Sequence, residues 1–426
     1  MSIRSQRSRQ RGVAALFVSV MLCFAMVLAV AVAHRNVLVE EQRSANELRA
    51  ADSFAAAEAG LVWALAWIND PARIDVDCLP SRDAAARSFR ERMMRISAGA
   101  GGVAPLRWDD GGTPAALQVA CVRAIDGWRC SCPASGRPEL PETAASAIAP
   151  AFVVELAPST RADVVRVVAT GCTRAGRGGV VCAATADAGH EASSRLEATW
   201  ALLPALRALP PAALTVRGDV DVGTASLGVH NVDGGAGALA LHVGGRIGAS
   251  ALRVGAPAGA TIGASLASRD TALQALPADR FFARYFGMGA ATWAARPGVR
   301  RITCSTDCAA TIGQAIAAGA RLLVIEGDAE VAGPVEFGSA EDPVALVSRG
   351  SLRLSGDIAV HGVVHGHSIE WNDGVAGRAL VRGAMLVANG YRGTAAVDVV
   401  RDEAVLARLA AASGSFVRVN GSWKDF

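Results

Sequence analysis

Three textures divide the chain by its hydrophobic pattern. Val13 to Ala33 is an unbroken apolar run in which Ser19 is the only conventional polar side chain. At about 1.5 Å per residue it makes a helix of roughly 31 Å, the thickness of a bilayer's hydrocarbon core. Beyond it the apolar positions become periodic. Leu48, Ala51, Ala55, Ala59, Val62 and Ala66 recur at helical spacing, and Phe54, Leu61, Leu65 and Ile68 form an adjacent stripe. No glycine or proline falls between Val13 and Ala59, and Pro71 is the first strong stop. One helix is therefore predicted from Val13 to about Asn69.

From Pro71 to Pro204 the pattern shortens. An arginine-rich piece, Ser81 to Ile96, reads as helical, and Ala116–Val122, Phe152–Leu156, Val164–Ala169 and Leu196–Leu202 read as strands between Gly, Pro and Ser clusters. From Leu214 onward, short strands alternate with glycines and small polar turns every six to ten residues or so, the texture of a stacked β-solenoid. An interruption at about 270–319 holds two predicted helices, around Arg280–Phe286 and Ala309–Ala318. Asp402 is placed to cap a last helix through Ala412, stopped by Gly414 and shielding the last open rung. The expected class is α+β: a leader (1–12), a membrane and stem helix (13–70), a small α/β head (71–204) and a β-solenoid-like region (205–426).

Charge decides orientation. Arg4, Arg7, Arg9 and Arg11 precede the apolar run with no acid among them, so the stub is expected to stay cytoplasmic and the remainder to be exported. Without residues 1–12, 38 basic residues face 39 acidic ones, which gives no footing for nucleic-acid binding. Three fates are open to the run. Ala31-Val32-Ala33 satisfies the small-x-small rule of a secretory signal, but the apolar core is longer than such signals need. The run can also be an uncut anchor, or a stem retained after cleavage on the cytoplasmic side of Val13. A plain anchor needs no rigid rod of on the order of 85 Å.

The residues around this helix resemble a known family, the PilX-type minor pilins of type IV pilus assembly. The likeness rests on QRGVAALFVSVML at the leader junction, on Arg35 with Glu40-Glu41, and on ANELRAADSFAAAEAGL. The last stretch is similar to N-x-x-R-x-x-x-x-F-x-A-A-E-A-x-L, carried by Asn46, Arg49, Phe54, Ala56, Ala57, Glu58, Ala59 and Leu61. It covers about residues 10–70, and the closing SFVRVNGSWKDF resembles the C-terminal regions of some PilX-like proteins. The resemblance implies cleavage between Gly12 and Val13 by a prepilin peptidase. It also implies an assembly helix that includes Val13, Phe17, Leu22, Phe24, Leu28 and Ala33, and partners among other minor and major pilins. A major pilin carries glutamate at the fifth mature position, where it offsets a buried amine. Phe17 stands there instead, which implies an initiating or accessory subunit rather than a bulk one.

Cysteine usage agrees with export. Beyond Cys23 in the apolar run there are eight: Cys78, Cys121, Cys130, Cys132, Cys172, Cys182, Cys304 and Cys308. An oxidising periplasm makes disulfides the default. Cys304 with Cys308, and Cys172 with Cys182, are candidate pairs; one of the crowded Cys121, Cys130 and Cys132 is expected to reach Cys78.

Candidate chemistry is sparse. His361, His365 and His367 share a parity, but Gly362 and Gly366 argue against one flat strand, and no metal is predicted. Arg217-Gly218-Asp219 reads as turn chemistry. Neither G-x-S-x-G, HExxH nor a Walker sequence occurs. Carboxylates are scattered and only Tyr285 and Tyr391 are tyrosines, so a sugar-cleaving groove is poorly supplied. The expectation is a structural, cofactor-free, non-enzymatic pilin-like protein of the inner membrane, passing once with its C-terminal part in the periplasm and entering the pilus on assembly. The alternatives are a membrane-tethered periplasmic adhesin or scaffold and, further off, a carbohydrate-active β-helix.

Overall fold

A computed structural model describes residues 11–83, 85–97, 102–140, 149–174, 182, 192–233, 239–304 and 306–425. The leader stub, residues 1–10, lies outside them. The predicted rod is present as one helix, α1, Arg11–Asn69. The arginine-rich piece expected to be helical is mostly not. There the helix is only α2, Phe89–Met93, because Ser88 and Glu91 form a capping box at its start and Met94 is already extended.

The last third of α1 packs on an antiparallel sheet. Its strands run in the order Ser415–Arg418, Ser193–Leu203, Val164–Cys172, Ala151–Pro158, Gln118–Ala124, Gly127–Ser131, with Lys424–Asp425 also on Ser193–Leu203. The tail thus returns to the head sheet, although the sequence pattern places everything after 205 in the β-rich region.

The two predicted apolar stripes of the stem have opposite fates. Ser53, Ala56, Ala57, Gly60, Leu61, Ala64 and Ile68 are buried against the sheet, whereas Leu48 and Val62 are 65% and 60% exposed. The reason is close approach. A Cβ on Gly171 of the sheet would lie 2.2 Å from the Ser53 carbonyl oxygen and 2.3 Å from the Ala57 nitrogen. Only a helix face of small residues over a glycine can come that near.

Residues 214–401 form a large sheet in which every described pairing is parallel. One column of it stacks Val299–Ile302, Leu322–Ile325, Val344–Ser348, Val363–Gly366, Ala384–Val387, Leu214–Val216, Leu241–Val243 and Leu266–Ala267. Spatial order therefore departs from chain order. Leu214, in the first strand of the region, sits between Met385 and Leu241. The chain reaches the other end of the stack through α3 (Thr271–Ala275), α4 (Ala278–Phe286) and α5 (Ala290–Ala294), more helix than the pattern predicts. At the Val299 end, α6 (Ala309–Ala317) sets Ala309 and Ile312 into the core, beside the Cys304–Cys308 disulfide.

The last helix, α7 (Glu403–Ala412), starts where expected, with Asp402 accepting from the Val405 N–H. It does not shield an end of the stack. Leu406 and Leu409 instead join Phe281, Phe282, Phe286 and Trp293 over one outer face of the column, near Leu322 and Ala345.

Candidate functional site

The first third of α1, through Ala33, is a bare apolar rod. Phe17, Leu22, Phe24 and Leu28 are 65%, 56%, 63% and 51% exposed, and Ala33 is exposed too. This helix is long and apolar enough to cross a membrane. Gly12 and Val13 lie within α1, but the side chains at that junction fall outside the described residues. Past the membrane-length run the exposed Leu48, Ala51, Ala55, Val62 and Ala66 continue an apolar strip along the side facing away from the head. Apolar surface of this extent calls for lipid or for other helices.

The stem-motif residues divide by role. Asn46 and Arg49 are neighbours on the exposed side, the Arg49 guanidinium donating to Asn46 Oδ1 at 3.4 Å. Ala57 and Leu61 are buried in the head core and Glu58 points to solvent. Phe54 meets Trp423 edge-on at 6.0 Å, so the stem motif and the closing SFVRVNGSWKDF segment touch. Ser53 Oγ lies 2.7 Å from Ser194 Oγ, a polar tie within the same interface.

Sequence reasoning missed the fastening at the stem's lower end. Asn69, the last residue of α1, donates from Nδ2 to the carbonyls of Leu65 (3.0 Å) and Phe416 (2.9 Å), and its Oδ1 accepts the Phe416 N–H at 2.7 Å. Arg90 donates to the last carbonyls of two helices, Ile68 O at 2.8 Å and Ala412 O at 2.9 Å. A cation there is favoured by both helix C-termini. Burial pulls this guanidinium down to about 10, with Glu91 opposing and Arg296 adding to the shift. Glycines bring the β-rich region against the same point: a Cβ on Gly319 would meet Pro71 O at 2.2 Å, and one on Gly298 would meet Asn69 O at 3.1 Å. The available signal was weak, since Asn-Asp-Pro reads simply as a helix stop.

The eight cysteines beyond Cys23 form four disulfides: Cys78–Cys132, Cys121–Cys130, Cys172–Cys182 and Cys304–Cys308. The turn between Cys172 and Cys182 lies largely outside the described residues. Cys23 is free and exposed.

The three histidines do not converge. His361 pairs with Glu336 at 3.2 Å, His365 is buried under α4 and His367 faces solvent. Among the described residues no group of three His, Cys, Asp or Glu is arranged to hold a metal. Arg217-Gly218-Asp219 is consumed internally. Arg217 donates to Leu276 O at 3.1 Å, Gly218 N–H to Asn389 O at 2.6 Å, and Asp219 accepts the Arg246 N–H at 2.7 Å.

No protein-family profile and no curated protein matches the chain. Among solved structures, it is similar at 10% identity to the competence-associated pilin ComZ from Thermus thermophilus, over 89% of this chain and 97% of that one. The TM-score is 0.21, too low to establish a shared fold.

Proposed function

We propose that this chain is a PilX-like minor pilin, a structural subunit that primes or caps a type IV pilus through α1. The observation that carries the reading is the division of one unbroken helix. Its last third is fastened into a head sheet, its first third, through Ala33, presents bare apolar surface, and exposed apolar residues from Leu48 to Ala66 continue along the outward side. An anchor alone would need only the membrane-length part. The strip from Leu48 to Ala66 gives sister stems something to pack against once the rod leaves the bilayer.

On this reading Gly12 and Val13 are the leader junction, and prepilin peptidase, the inner membrane and other pilins are the partners. The stem holds the protein in the inner membrane with the head and β-rich region in the periplasm. Phe17 leaves the rod without a carboxylate for a neighbour's amine, which suits a starting or terminal position. The parallel stack is read as a β-helix carried by the head, and the role is structural rather than catalytic.

Sequencing the mature N-terminus tests the proposal. Val13 is expected; Met1 or Ser2 would mean an uncut anchor and His34 a secreted protein. Gly12→Leu is expected to accumulate unprocessed precursor and to reduce piliation. Normal processing and normal piliation in that variant would remove the assembly role.

A further inference from the structure

Where the head meets the β-rich region there is a groove of about 830 Å³, at the upper end of the range that encloses small ligands. Six arginines line it against four acids. Most of the acids are already engaged. Glu91 accepts from Ser88 in the capping box, Asp342 pairs with Arg321, and Asp70 accepts the Ala72 N–H. Arg90 and Arg408 are spent on backbone carbonyls, Ala412 and Ala340 among them. Among the described residues Arg73, Arg87 and Arg95 have no such partner, and all three belong to the head wall.

That wall is held in shape. Cys78–Cys132 staples it, Arg92 donates to Ile74 O at 2.6 Å and Cys132 O at 2.9 Å, and the residues pair as Arg73 with Ser88 and Ile74 with Arg87. Arg87 also bears on Arg92, whose ionisation is pulled down by burial, raised by Asp75 and lowered again by the like charge of Arg87. Guanidinium groups gathered along a concave wall focus positive potential into the groove. The floor is apolar, with Ile96, Leu106 and the buried Leu322. Among the described residues no aromatic side chain lines it, which leaves a sugar ring nothing there to stack on.

We infer that this groove binds a short acidic polypeptide segment, its carboxylates meeting Arg73, Arg87 and Arg95 and its apolar side chains resting on the floor. A bidentate guanidinium–carboxylate contact is the pairing such a wall is shaped for. The inference needs only the junction as folded and does not depend on how α1 is processed.

The test uses the full-length protein in a neutral detergent and fluorescence anisotropy at physiological salt. Three labelled probes are compared: an octapeptide alternating glutamate with valine, the same peptide with glutamine for glutamate, and polygalacturonate. The glutamate peptide is expected to bind, at least tenfold tighter than the glutamine one. Combined Arg73→Gln, Arg87→Gln and Arg95→Gln should weaken it about tenfold. The exposed pair Arg87→Gln and Arg95→Gln should weaken it less, and Arg382→Gln outside the groove not at all. Absence of binding, or binding indifferent to the triple substitution, overturns the inference. So does tighter binding of polygalacturonate that the triple substitution abolishes, which would assign the groove to an anionic glycan.

Discussion

Asn69 and Phe416, far apart in sequence, are joined by a closed pair of hydrogen bonds, amide to carbonyl at 2.9 Å and peptide N–H to amide oxygen at 2.7 Å. Both residues are buried, at 5% and 1% exposure. The end of the stem is thereby locked to the strand that returns from the β-rich region. Asn69→Leu would leave the Phe416 N–H and C=O without partners, at about 1–3 kcal/mol each. We expect about 2–4 kcal/mol of lost stability by urea denaturation, and earlier proteolysis of the tail. Asn69→Asp keeps the acceptor and should lose less. Equal stability of Asn69→Leu and wild type would show that the strand pairing alone holds the tail.

A second prediction concerns the seat of the stem. Any side chain on Gly171 runs into α1 backbone within 2.3 Å, so Gly171→Val must push the helix off the sheet. Overpacking of this kind costs about 1–3 kcal/mol or more. Gly313 in α6 is the contrast, because a Cβ there meets nothing within 4 Å. Gly313→Ala should stabilise by about 0.5–1 kcal/mol through helix propensity. Thermal denaturation of the two variants should move in opposite directions.

These positions show which parts of the fold are legible in the sequence. The rod is readable because its causes are local: no breaker before Gly60 and apolar residues throughout. Which stripe is buried is not readable from α1 alone, since it depends on Gly171, a glycine a hundred residues away that lets a small-residue face approach. The strand-and-turn texture after Leu214 announces stacked short strands. Their order is invisible, because nothing near Leu214 says that it lies beside Met385. Asp402 as a helix cap is local chemistry and appears where the pattern puts it. The path of the tail depends on Asn69, Trp423 and the edge of the Ser193–Leu203 strand, contacts that carry no periodic signature.

The disulfides are expected to contribute unequally. Cys78–Cys132 closes a sequence separation of 54, and Cys304–Cys308 one of 4. Loop-closure entropy gives about 4 kcal/mol for the first and about 2 kcal/mol for the second. Replacing both members of each pair by serine and measuring urea midpoints should rank them in that order. A larger loss from the Cys304–Cys308 pair would mean that it acts through the seating of α6 rather than through the unfolded chain.

His365 should make stability fall with acid. Its ring is buried, 5.0 Å from the Phe282 ring and 6.0 Å from that of Phe286, and among the described residues neither nitrogen makes a well-formed hydrogen bond, the Ser348 backbone offering only a weak one. Burial holds its pKa down to about 4 against an ordinary 6.5, with the Ser348 backbone opposing and His367 adding to the shift. Between those values the unfolded chain binds the proton and the folded one does not. Stability is therefore full above about pH 6.5 and declines as pH drops toward 4, by about 3 kcal/mol in all. Asp270, Glu370 and Asp398, whose carboxyls are held low, lose their own contributions only as pH falls below the ordinary carboxylate range. Those losses are common to wild type and His365→Leu and cancel in the comparison. Urea denaturation at pH 7 and pH 4.5 should therefore show a smaller drop for His365→Leu, and identical drops would mean that the imidazole finds a partner on protonation.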